Sequence, residues 1–166
     1  MDSFYAQLYL DLQNRIATMV PEIVFIEQNF GQYQNEDFNI FPSVLIDFPF
    51  TSYSALQGLN QIATPTINLM LLFAAYSNSY NIAPEEVKKN ALEYFEIERK
   101  LVKAIHGWEN GFCSPLIRVN DKNHNQNDRS LRVRDLNFST EFEDMIEEEP
   151  QHDVIFKIIG SIEPKI

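Results

Sequence analysis

Residues 128–142 read DRSLRVRDLNFSTEF, and apolar side chains alternate with polar ones through most of the stretch. A period of two is the signature of a strand whose faces differ in burial. At roughly 3.3 Å per residue, residues 131–142 would span about 40 Å, well beyond an ordinary strand. A chain that builds such a strand must also build a sheet to receive it. Leu131 and Val133 keep one phase, whereas Leu136, Phe138, Thr140 and Phe142 keep the opposite one, with Arg134 and Asp135 at the break. Two readings fit that break. A bulge near Arg134 and Asp135 re-aims side chains within one sheet, or the second part of the strand leaves its own core to serve a partner.

The rest of the chain supplies partners for this strand. Phe4, Leu8, Leu12, Ile16 and Met19 form one helical stripe behind the capping residues Asp2 and Ser3, and Pro21 ends it. EIVFIEQNF at 22–30 and SVLIDFPF at 43–50 read as strands, with QYQNEDFN between them as a hairpin loop. Val44, Ile46 and Phe48 share a face, and Pro49 suits an edge or a bulge. Residues 51–64 read as a polar connection. TINLMLLFAAY at 66–76 is apolar on both faces near its end, which predicts a central strand.

The segment from Pro84 to Gly107 predicts the longest helix. Pro84 fits the first helical position, Glu85 and Glu86 lie at the positive end of the dipole, and Lys100, Lys103 and His106 lie at the negative end. Gly107 suits the left-handed residue after the helix. SPLIRVND and RSLRVRDLNFSTEFED then predict a hairpin around an Asn-rich turn, the second strand outrunning the first. The fold class is α+β: a twisted, mostly antiparallel sheet with two main helices packed on one face. Residues 1–144 form a single domain, and residues 145–166 an acidic linker and an apolar C-terminal segment.

Composition decides mainly what the protein is not. With 166 residues, 45% of them hydrophobic and 13% aromatic, the chain can bury a core without disulfides or metal. A net charge of −11 disfavours a general nucleic-acid binder or a partner of anionic membranes. The single cysteine, Cys113, excludes an internal disulfide and suggests a reducing compartment. No signal peptide is evident, and the longest apolar run, residues 69–76, is too short to cross a bilayer. A soluble cytoplasmic protein is expected.

No catalytic or metal site is expected either. Glu141, Glu143, Asp144, Glu147, Glu148 and Glu149 lack the alternating ligand spacing and turn glycine of a calcium loop. His106, His124 and His152 stand in no zinc-ligand spacing with Cys113. Glycine-rich phosphate cradles and the nucleophile elbow are missing, so no cofactor is expected. Arg118, Arg129, Arg132 and Arg134 form the one basic concentration, alternating on the hairpin as a solvent or interface face would.

The order helix, three strands, long helix and hairpin resembles the tail completion or tail terminator proteins of long-tailed bacteriophages and prophages. The likeness is carried by the helix ending in AIHGW, the variable insert after it, and the strand with Val133, Leu136 and Phe138 before an acidic segment. FPSVLIDF supplies the expected second strand. The resemblance covers residues 1–144; the segment VIFKIIGSIEPKI has no place on it.

The resemblance implies a non-enzymatic structural protein. It would form a ring, a hexamer, that completes the tail tube and meets the head connector or neck protein. The implied partners are other copies of the chain, the tail-tube protein and the connector, with DNA only as cargo in the lumen. It would be found in the bacterial cytoplasm during assembly and then in the virion neck. The expected subunit or partner interface comprises Arg132, Arg134, Asp135, Phe142, Phe48, Phe50, Tyr53, Phe156 and Ile158. The competing reading is a monomeric acidic adaptor, such as an inhibitor that mimics nucleic acid through its carboxylates. An enzyme in the cleft between sheet and helices is a third, without a catalytic constellation to support it.

Overall fold

The computed structural model describes residues 3–74 and 78–145. Among them, α1 (Phe4–Met19) and α2 (Glu85–Ile105) pack on one face of a six-stranded sheet. The strands are β1 (Phe25–Gln28), β2 (Ser43–Ala55), β3 (Gln61–Phe73), β4 (Ile117–Asn123), β5 (Arg132–Ser139) and β6 (Phe142–Asp144). Their order across the sheet is β1-β2-β3-β5-β4, with β6 also paired to β3. The expected α+β class is what the chain adopts, and β3 is central as its two-sided apolar pattern predicts.

Ser3 caps α1 by accepting a hydrogen bond from the Ala6 amide, and Leu8, Leu12 and Ile16 are buried at steps of one turn. In α2, Ile97, Leu101, Ala104 and Ile105 enter the same core. Both stripes meet Val44 and Ile46 of β2, Ile67, Leu69, Leu71 and Phe73 of β3, and Leu136 and Phe138 of β5. Pro84 stands one position outside α2, as its N-cap, where its carbonyl accepts from the Lys88 amide at 3.0 Å. Gly107 takes the left-handed conformation predicted for it (φ 78°). Its amide donates to Leu116 O and the Leu116 amide donates to Trp108 O, at 2.7 and 2.8 Å. This exchange closes the loop that leads into β4.

A second, smaller core lies on the opposite face. Leu45, Met70, Leu72, Leu131 and Val133 are covered there by Phe25, Tyr33, Phe38 and Phe41. The segment between β1 and β2 is therefore not a hairpin loop. β1 and β2 run parallel, Phe25–Gln28 beside Ser43–Ile46, and the connection crosses over an apolar sheet face that would otherwise be wet.

The two-sided core also accounts for the phase break. Val133 points to the small core, Leu136 and Phe138 to the large one, and β5 pairs with β3 without a register shift. The bulge expected at Arg134 and Asp135 is absent, because one regular strand serves a buried surface on each side. The one long strand that the sequence implied is divided between β5, of eight residues, and β6, of three, which share a register. Arg132 opposes Phe73, Ser139 opposes Thr66, Phe142 opposes Ala63 and Asp144 opposes Gln61, so one unbroken register runs the length of β3. Its interruption at Thr140 and Glu141 falls opposite Pro65 and Thr64, where proline offers no amide to the ladder. The Glu141 carbonyl instead accepts from the Ser114 amide at 2.8 Å.

A true change of face occurs in β2. Between the pairs Asp47 with Asn68 and Phe50 with Thr66, both Phe48 and Pro49 oppose Ile67 alone, the geometry of a bulge. Val44, Ile46 and Phe48 face the helices before it; Thr51 and Tyr53 do so after it. Residues 51–55, read from sequence as the start of a connection, continue β2 to Ala55, and residues 61–64, read as its end, open β3 at Gln61.

Candidate assembly surfaces

The outer half of the β2–β3 hairpin reaches beyond both cores. Its first strand is buried from Ser43 to Ile46 and mostly exposed from Pro49 to Ala55. Phe50 is 64% exposed, and Tyr53, Leu56 and Leu59 are each more than half exposed. On the helix face, the Tyr5 and Thr51 hydroxyls share a hydrogen bond of 2.6 Å. Hydrogen bonding with Tyr5, and next the charge interaction with it, raises the Tyr53 phenol above its ordinary pKa; burial and nearby Asp144 add to this. On the other face, Phe50 stands among Thr66 and Ser139, its neighbours across the strands. Next to this row, Asp47, Asn68, Asn137 and Asn120 align across four strands, with side-chain hydrogen bonds Asn68 to Asn137 (3.0 Å) and Asn137 to Asn120 (2.9 Å).

One sequence signal for this ribbon lies in what is missing. No residue between Asp47 and Glu85 carries a charge, in a chain with 22% charged residues. Exposed hairpins ordinarily carry Lys or Glu, which keep their edges from pairing with other chains. β1 covers only Ser43–Ile46 of β2, so the outer edge beyond the bulge has no strand partner among the described residues.

The sequence-derived interface residues divide into four groups. Phe50 and Tyr53 lie on the exposed ribbon, and Phe48 sits at the bulge, half-buried against the main core. Phe142 stacks on Phe4 with rings 12° from parallel, and Tyr5 meets it edge-on, so this ring fills the base of the ribbon in its own chain. Phe156 and Ile158 lie outside the described residues.

The basic group is engaged within the domain. Arg134 donates two hydrogen bonds to the buried Glu98 carboxylate, at 2.9 and 3.0 Å, which raises the guanidinium pKa. Arg118 pairs with Asp121 and approaches Glu98 at 3.8 Å. Arg132 lies over the Tyr94 ring, 4.7 Å from its centre. These arginines face α2 because they share the strand phase of Leu136 and Phe138. Asp135, on the other face, pairs with His124. Arg129 donates to the Tyr33 and Glu36 carbonyls and so ties the Asn-rich turn to the β1–β2 crossover.

Among the described residues no group of three or more His, Cys, Asp or Glu could hold a metal ion, and no helix is long and apolar enough to cross a membrane. A cavity of about 280 Å³ lies beside α2, lined in part by Phe41, Phe73, Ala91, Tyr94 and Arg132. Its one arginine is already stacked on its one tyrosine.

No protein-family model matches this chain, and no curated protein does. Among solved structures the chain is similar to one from the virion of a native gene transfer agent particle. The identity is 14% and the TM-score 0.40, with 84% of this chain and 91% of that chain covered.

Proposed function

We propose that the protein is a non-enzymatic structural component of a phage or prophage particle, which forms a ring that completes the tail tube and joins it to the head connector. The sequence resemblance to tail completion proteins supplies the role, and the exposed, uncharged β2–β3 ribbon is the observation that carries the assembly. Four large apolar side chains stand on that ribbon. Each is only about half exposed, so burying the remainder would contribute roughly 3–7 kcal/mol before association costs, and losing free motion costs about 4–15 kcal/mol. One such contact is marginal, whereas a ring that repeats it and closes is stable. The net charge of −11 would let DNA traverse the lumen without adhering.

The acidic-adaptor reading requires carboxylates to meet a basic partner, and such binding weakens steeply with salt. Association through an uncharged ribbon does not. The test is light scattering over a wide range of concentration and salt, with negative-stain imaging of the most concentrated sample. Rings of about six subunits that persist at 1 M salt are expected. A chain that stays monomeric alone and with tail-tube protein, but binds basic proteins at low salt, would replace this reading with the adaptor.

A further inference from the structure

The sheet leaves free edges of very different character. The outer edge of β4 carries Arg118, Asp121 and Lys122 and is bulged at Val119, each a device that discourages pairing. The edge strand β1 is attended by α1, where the Gln13 side chain donates to the Ile26 carbonyl at 3.0 Å. The outer edge of β6 is three residues long. Only residues 50–55 of β2 offer, among the described residues, an extended edge without charge, bulge or cover.

The same chain contains a segment suited to that edge. Residues 154–162 read VIFKIIGSI, rich in β-branched side chains and, at nine residues, long enough to line the six-residue edge. We propose, on the basis of the ring reading above, that residues 154–162 of one copy add as a strand to residues 50–55 of β2 in the neighbouring copy. Strand addition satisfies the bare backbone groups, and alternate side chains meet Phe50 on one face and Tyr53 on the other.

Charge favours a neighbour as the acceptor. The chain leaves β6 at Asp144, beside Gln61 and close to the hairpin tip. Residues 145–153 can extend up to about 30 Å. To reach its own β2 edge, this linker would have to fold back around the tip. It carries Glu147, Glu148, Glu149 and Asp153, and follows Glu141, Glu143 and Asp144. Like charges extend a linker, and the tip has no cation to draw it back. Each copy thus offers an edge and a strand, a head-to-tail contact that closes into a ring when the rotation permits.

The experiment compares the full chain with a truncation after Asp153, by sedimentation over a range of concentrations. It adds cross-linking in a Cys113→Ser background. Ser52→Cys and Lys157→Cys are placed on separate chains and mixed, or placed together on one chain, and treated with a short bis-maleimide. Expected are rings from the full chain, self-association weakened at least about 100-fold by the truncation, and cross-linked dimers from the mixed single variants. Rings of undiminished stability from the truncated chain would overturn strand exchange and leave the ring standing. A full chain that stays monomeric both alone and with tail-tube protein, whether cross-linked within itself in the double variant or not at all, would overturn both.

Discussion

The two halves of the β2–β3 hairpin share strands and hydrogen-bond ladder but little else. In the inner half, Val44, Leu45, Ile46, Leu69, Met70, Leu71 and Leu72 are buried on both faces, between the helices and the β1–β2 crossover. In the outer half, past the Phe48–Pro49 bulge, the crossover layer does not continue and α1 covers only the base, where Tyr5 meets Thr51 and Ala63 is buried, while Phe50 and Tyr53 face solvent. Among the described residues no ion pair reaches the hairpin beyond Asp47, which has no charge to pair. A strand pair therefore does two jobs according to how far its covering layers extend. Inside it is the domain's core, and outside it is an exposed, uncharged ribbon, the surface proposed above for assembly.

That contrast is most sharply tested at Phe138, which is fully buried against the helices. Phe138→Ala should cost about 3–5 kcal/mol of folding stability, visible as a large fall in the urea midpoint. A loss below about 1 kcal/mol would show that the inner half is not the core described.

Glu98→Ala comes next, because it leaves the Arg134 guanidinium half-sheltered and unpaired. Solvent reaching Arg134 places the cost near the bottom of the range for broken buried pairs, about 3 kcal/mol. Glu98→Ala/Arg134→Met should recover part of it, and no recovery in a double-mutant cycle would deny the pair its role.

Phe142→Ala removes the ring stacked on Phe4 where the hairpin leaves the core. It should cost about 1–2 kcal/mol, part of it from the stack itself. This half-buried ring marks the transition between the two regimes, and thermal melting reads its intermediate value.

Phe50→Asp belongs to the outer half. It should change the monomer's stability by no more than about 0.5 kcal/mol, yet abolish rings in the light-scattering assay. An unfolded Phe50→Asp protein, or one that still forms rings, would erase the distinction between the halves.

The smallest effects are those of pH, and they act at opposite limits. The Glu22 carboxyl is held below its usual range, first by the hydrogen bond from Lys100 on α2. Its contribution is complete above about pH 4.3 and is lost as pH falls through the lower value of the folded protein. Tyr53 has the opposite sign. Its raised phenol favours the folded state below about pH 10, and that contribution is lost as pH rises through the higher folded value. Acid should thus loosen the helix contact and alkali the ribbon, as the melting of Lys100→Met and Tyr53→Phe across pH would report.

Sequence alone determined the helices and the central strand, because their signals are local. A turn-by-turn apolar stripe, a capping serine, acids and bases at opposite helix ends and a glycine after α2 all act within a few residues. The strand stretch facing β3 was equally legible, though it is divided into β5 and β6, since an alternating pattern persists wherever one face is buried. What the alternation could not say was where each phase goes. Arg134 and Asp135 looked like a bulge because a sheet covered on both sides produces the same break in pattern without one. The β1–β2 crossover misled for the same reason: Phe25, Tyr33, Phe38 and Phe41 are apolar because they cover a face, and no local rule reveals that face. The bulge at Phe48 and Pro49, the pairing of Arg134 with Glu98 and the bare edge of β2 were decided by tertiary structure. Each depends on which distant residues arrive opposite, and on where the covering layers stop.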